Sequence, residues 1–160
     1  DFALAQTGLG GDEDLRDALL SLYRQLAAYD DAHEILTHLG SAGLPRAILS
    51  NGNHEMLKEA VTAAGLDAFL EAILSAEDAG IFKPAPPVYQ LGCAHFDVAP
   101  DEVLFFSSNG WDIAGASAFG YQTIWVNRQN QATERLGKGP HHIVQNLDEA
   151  WKLASTLLDY

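Results

Sequence analysis

Val103-Leu104-Phe105-Phe106 runs directly into Ser107-Ser108-Asn109-Gly110 and then Trp111-Asp112. Four apolar residues followed by hydroxyls, a carboxamide and a glycine read as a strand buried on both faces, leading through a polar tip into a helix. The same order occurs earlier, where Arg46-Ala47-Ile48-Leu49 ends in Ser50-Asn51-Gly52. Two such units predict an α/β fold with a parallel sheet and helices on both faces.

The rest of the chain keeps this alternation. Leu15, Leu19, Leu22 and Leu26 recur at helical spacing, after the acidic first turn Asp12-Glu13-Asp14, and predict a helix over 15–26. A second helix is expected over about 31–39, stopping at Gly40, and a third over 53–64. Phe69 to Leu74 is a weak apolar segment ahead of the loop Gly80-Ile81-Phe82-Lys83-Pro84. Pro86-Pro87 suits the first turn of a helix holding Val88, Leu91 and Ala94–Phe96. A small-residue helix through Ala114–Ala118 closes at Gly120. Strands at Gln122–Asn127 and His142–Gln145 follow, then a helix from Asn146 to about Leu158. Gln129–Pro140 reads as a surface loop, and residues 1–28 as a separate, purely helical element.

With 160 residues, 48% of them hydrophobic, the chain can bury the core of one domain or a little over. Acidic residues exceed basic ones by 22 − 9, giving −13. That balance excludes a phosphate-tracking nucleic-acid surface and argues against anionic membranes. No apolar run approaches the roughly 18–20 residues of a membrane span. Cys93 is the only cysteine, which excludes an internal disulfide and fits a reducing, cytoplasmic location. The chain opens Asp1-Phe2-Ala3-Leu4-Ala5 like the inside of a helix, so it is expected to be the later part of a longer one.

In open parallel sheets, ligands sit beyond the carboxyl ends of the strands. Taken singly, the residues there have plain explanations: Ser and Asn cap helices, a lone lysine is solvated, Asp112 stabilises a helix start, and Trp111 packs. Together they form an ordered set. Ser50-Asn51, Lys83-Pro84 and Ser107 to Asp112 fall on successive strand-end loops, 33 residues from Ser50 to Lys83 and 29 from Lys83 to Asp112.

This order resembles the haloacid dehalogenase superfamily, with Leu49-Ser50-Asn51-Gly52 similar to its second motif, Lys83-Pro84 to its third and Ser107 to Asp112 to its fourth. Phe119-Gly120-Tyr121 and Trp125-Val126-Asn127-Arg128 add to a likeness with its L-2-haloacid dehalogenases, from about residue 29 to the end. The resemblance implies a Rossmann-like core over 29–160 and, over 1–28, the final part of a helical cap domain. It implies hydrolysis of a short L-2-haloalkanoic acid to the D-2-hydroxy acid through an aspartyl ester. The nucleophilic aspartate belongs to a first strand expected upstream of residue 1. Asp1 has no apolar strand before it and is rejected for that role. Without that central strand, the sheet is expected to be left with an open gap.

The resemblance also implies roles. Lys83 keeps the nucleophile ionised, Asp112 pairs with Lys83 and activates water, Ser107 and Asn109 hydrogen-bond nucleophile and water, and Tyr89 orients the carboxylates. Ser50 binds the substrate carboxylate, while Asn51, Asn109 and Trp111 donate towards the departing halide. No cofactor and no metal are expected, and the implied assembly is a homodimer. The superfamily's magnesium-dependent phosphatases carry an acid where Ser108 stands, and a hard cation needs that charge. Such a phosphatase is the alternative, as is a non-catalytic fragment that keeps an anion site. Cys93, Trp125 and Trp151 are expected to pack in the core. His141-His142 is weak as a metal site, and His33, His38, His54 and His95 lack mutual metal spacing.

Overall fold

The computed structural model describes residues 1–157. Helices α1 (Phe2–Gln6), α2 (Glu13–Leu22) and α3 (Ala32–Ser41) precede β1 (Ala47–Ser50) and α4 (His54–Ala63). A 3-10 turn at Asp67–Phe69 leads to β2 (Ala72–Ser75), then α5 (Pro86–Phe96) and β3 (Leu104–Ser107). The order ends with α6 (Gly110–Phe119), β4 (Gln122–Val126), β5 (His142–Val144) and α7 (Leu147–Leu157). No described helix is long and apolar enough to cross a membrane.

Every strand pair is parallel, with Ser50 opposite Ser75, Ser107 opposite Trp125 and Val126 opposite Val144. The strands divide into two sheets, β1-β2 and β3-β4-β5. Side chains alternate across each strand, so β3 serves two layers. Phe105 packs with Leu49 of β1 on Tyr89, Cys93, Ala116 and Tyr121 from the α5–α6 side. Leu104 and Phe106 face the opposite layer, where α3 and α7 contribute Ile35, Ala150 and Trp151. Packing against both layers is why β3 reads as a continuous apolar run.

Two helix ends differ from expectation. The leucine stripe runs to Leu26, but α2 stops at Leu22. From there the backbone switches to i→i+3 bonds at Tyr23, Arg24 and Gln25. Arg24 turns towards α4, reaching Glu59 at 2.7 Å and Glu55 at 3.6 Å. No residue of α1 or α2 is buried, and Leu22 and Leu26 stay 58% and 52% exposed. Gly40 does not end α3 but lies inside it, where a methyl group would overlap the Arg46 guanidinium.

Where the chain enters α3, Asp31 accepts from Arg128 Nη2 and from the Leu147 N–H, both at 2.8 Å, and so fastens α3 to the start of α7. The Tyr29 ring covers the same guanidinium at 4.0 Å. Burial pushes the Asp31 carboxyl up, but the Arg128 and Leu147 hydrogen bonds outweigh it and the net shift is downward. Asp31→Ala is expected to cost about 2–3 kcal/mol in urea unfolding, because it leaves a part-buried guanidinium and a helix N–H unpaired. A lowered carboxylate stabilises the fold above its unfolded value of 3.8. The advantage of wild type over Asp31→Asn is therefore full at neutral pH and disappears as the pH falls below that value.

Candidate active site

The carboxyl ends of β1 and β3 bring Lys83, Asn51, Ser107, Asp112 and Tyr89 into one hydrogen-bonded group. Gly80, at φ +64°, ends the turn after β2 in a left-handed conformation suited to glycine and sends the chain into Ile81-Phe82-Lys83. The Lys83–Pro84 peptide is cis. Asn51 fixes this loop: its Oδ1 accepts from the Lys83 N–H at 2.7 Å, and its Nδ2 donates to the Lys83 carbonyl at 3.4 Å. The Asn51 carboxamide thus holds the backbone of the lysine loop.

Lys83 Nζ donates to the Leu49 carbonyl at 2.9 Å and to Asp112 Oδ2 at 2.8 Å, and lies 5.3 Å from the centre of the Phe105 ring. The ammonium therefore spans the two sheets. Its side chain is 7% exposed and that of Asp112 is 4%. Ions this deeply buried persist only when each is paired and hydrogen-bonded. Asp112 meets that demand: Oδ2 also accepts from Ser107 Oγ at 3.0 Å, and Oδ1 accepts from Tyr89 Oη at 2.9 Å.

Tyr89 is wholly buried between Phe105, Phe119 and Tyr121. Burial, then the Asp112 charge, push its phenol far above the ordinary range, so it stays a hydrogen-bond donor. Tyr121, also buried, donates its hydroxyl to the Tyr89 carbonyl. Helix α6 can approach only because residue 115 is glycine. A methyl there would lie 2.5 Å from Tyr89 Oη and 2.6 Å from Pro84 Cβ.

Ser50 lies at the end of β1, and Asn109 and Trp111 lie at the start of α6. Ser50 Oγ accepts from the Gly52 N–H at 3.1 Å. The capping role at α4 falls to Asn53, which accepts from the Met56 N–H, not to Ser50 or Asn51. Asn109 stands at the N-cap of α6 without a side-chain capping bond and is exposed. Trp111 is 37% exposed on the first turn of α6 and is not a core residue. Cys93 is buried as expected, and buried Trp125 donates its indole N–H to the Ser108 carbonyl at 3.2 Å. His141 is occupied by Thr123, whose hydroxyl lies 2.9 Å from Nδ1. Sequence reasoning assigned no role to Gly115 or Ser75 and used Tyr121 only as part of the family likeness, because the partners of all three are distant in the chain.

Both oxygens of Asp112 are engaged, one of them by an ammonium, and Ser108 contributes a neutral hydroxyl. Hard cations need several anionic oxygens. Among the described residues, no three His, Cys, Asp or Glu side chains are grouped to hold a metal.

Residues 4–120 match the family described as haloacid dehalogenase-like hydrolase. The chain belongs to this family. It is similar to (S)-2-haloacid dehalogenase 4A of Burkholderia cepacia, 47% identical over 95% of this chain and 66% of that protein. The (S)-2-haloacid dehalogenase 1 of a Pseudomonas species (strain CBS-3) is 46% identical over 93% of this chain, again 66% of the relative. The chain therefore spans just under two thirds of the length of these relatives. Among solved structures, the L-2-haloacid dehalogenase of Xanthobacter autotrophicus with chloropropionic acid covalently bound superposes with a TM-score of 0.86 at 33% identity. That match covers 96% of this chain and 71% of the other. The haloacid dehalogenase-like fold is therefore shared by this chain, and Lys83, Asp112 and Tyr89 form its buried polar centre.

Proposed function

We propose that the complete protein hydrolyses the carbon–halogen bond of short L-2-haloalkanoic acids, giving D-2-hydroxy acids through an aspartyl ester and without metal or cofactor. The observation carrying this reading is the buried ammonium of Lys83, held between the Leu49 carbonyl and Asp112 where the two sheets face each other. A carboxylate entering between β1 and β3 would meet that charge and stay ionised. In this reading it belongs to an aspartate on a strand upstream of residue 1, and the division into two sheets supports that position. Residues 1–28 would be the end of a helical cap and residues 29–160 the core.

The aspartate attacks C2 from the side opposite the halogen. A C–O bond forms as the C–halogen bond breaks, and the electron pair leaves with the halide. Ser50 and the turn after it receive the substrate carboxylate. Asn109 at the N-cap of α6 and Trp111 on its first turn, both exposed, stabilise the departing halide, while Asn51 holds the lysine loop. Asp112, oriented by Tyr89 and Ser107, takes a proton from the water that cleaves the ester. The family resemblance implies a homodimer, and the single cysteine fits a cytoplasmic location.

The test is chloride release from L-2-chloropropanoate by the complete protein, with D-lactate as product. Release is expected to be unchanged by EDTA, and the D-enantiomer is expected to be left intact. Release that EDTA abolishes, or EDTA-sensitive phosphate release from a small ester in its place, would assign the site to magnesium chemistry.

A further inference from the structure

We propose that Ser75, at the end of β2, is a positioning residue that sets the affinity of the neighbouring turn for the substrate carboxylate. The inference rests on the dehalogenase reading, in which Ser50 contacts that carboxylate. Ser75 is fully buried and lies directly opposite Ser50 in the parallel register. A buried hydroxyl is unfavourable unless its hydrogen-bonding capacity is used. Both bonds made by this hydroxyl fix local geometry: it donates to the Gly52 carbonyl at 2.7 Å and accepts from the Glu77 N–H at 3.1 Å.

Gly52 is therefore held at both of its backbone polar groups. Its carbonyl accepts from Ser75, and its N–H donates to Ser50 Oγ at 3.1 Å. With a lone pair of Ser50 committed to that N–H, the Ser50 hydrogen is left to donate to an anion. The exit of β2 grips the same turn twice more. Glu77 Oε2 accepts from the His54 N–H at 2.9 Å, and Asp78 Oδ1 lies 2.9 Å from the His54 ring. On its other side, the turn is tied to Lys83 through Asn51. Removing the Ser75 hydroxyl leaves the Gly52 carbonyl unpaired and loosens the residue whose N–H fixes Ser50. Among the described residues, no hydrogen bond or ion pair joins Ser75 to Lys83 or Asp112, so the chemical step is spared.

Ser75→Ala in the complete protein is expected to raise KM for L-2-chloropropanoate about tenfold, the worth of one hydrogen bond, with kcat within about twofold. The inhibition constant of propanoate rises in parallel, and that of chloride stays unchanged. Ser75→Thr restores the hydroxyl and most of the affinity, with Ser75→Cys between the two. The graded series keeps the test valid if the alanine variant folds poorly. A lowered melting temperature with unchanged KM, or a threonine variant no better than alanine, overturns the inference and leaves the dehalogenase reading standing. Absence of chloride release by the unsubstituted protein overturns that reading, and this inference with it.

Discussion

Lys83→Met is expected to lower kcat for haloacid hydrolysis by about 10²–10³-fold, the loss typical when a preorganised electrostatic contact is removed from an enclosed site. Methionine keeps much of the lysine stem's volume, so packing against Phe105 survives while the charge is lost. The same substitution leaves Asp112 buried beside Ser107 and Tyr89 with no cation. Breaking a buried pair from one side costs about 3–5 kcal/mol, so stability falls with activity. The two effects separate in the double variant Lys83→Met with Asp112→Leu. Removing both charges restores much of the stability, because neither ion is left unpaired. Activity does not return. A double variant that recovers turnover along with its melting temperature would make the pair a structural device only.

Gly115→Ala is the second large effect, and its sign runs against helix propensity. Alanine within a helix is ordinarily favoured over glycine by about 1 kcal/mol. At position 115 the added methyl meets Tyr89 Oη at 2.5 Å and Pro84 Cβ at 2.6 Å. Neither can give way easily: Tyr89 is enclosed by three aromatic rings, and Pro84 follows the lysine directly. Overpacking of this kind costs about 1–3 kcal/mol. Because the displaced groups are those that orient Asp112 and Lys83, a shift of about 1 Å is expected to lower kcat about 10²-fold. Gly139→Ala is the control, since nothing lies within 4 Å of a methyl there. Unchanged kcat in Gly115→Ala would show that α6 tolerates displacement and that Tyr89 does not orient the carboxylate.

What was legible in the sequence is what strand ends encode locally. Leu49-Ser50-Asn51-Gly52 and Phe106-Ser107-Ser108-Asn109-Gly110 mark the points where buried strands emerge, and the structure places Lys83 between them. The contacts of Lys83 and of Tyr89 with Asp112 were implied by the family resemblance and not by the strand ends. The individual duties of the tip residues were less legible. Asn51, expected to face a halide, spends its carboxamide on the Lys83 backbone, because a short amide at a strand end reaches the adjacent loop first. Trp125 looks like core and is core, yet its indole N–H also holds the tip at Ser108.

The remaining contacts between elements left no trace in the sequence. Gly115 reads as one small residue among several, and only the approach of Pro84 and Tyr89 shows why it carries no side chain. Tyr121 and Ser75 carry hydroxyls whose partners lie on other elements. The stripe that predicts a helix to Leu26 records amphipathicity but not the i→i+3 bonds that end α2 at Leu22, where Arg24 is drawn to Glu59.

The most direct measurement is the intact mass of the complete protein bearing Asp112→Asn, taken after mixing with L-2-chloropropanoate. If Lys83 faces an attacking carboxylate and Asp112 activates the hydrolytic water, the first displacement proceeds and the second stalls. One chloride is then released per protein, and the mass rises by one propanoate-derived ester that maps to an aspartate beside β1 and β3. Continued turnover with no adduct, or the complete absence of chloride release from the unsubstituted protein, would contradict the assignment.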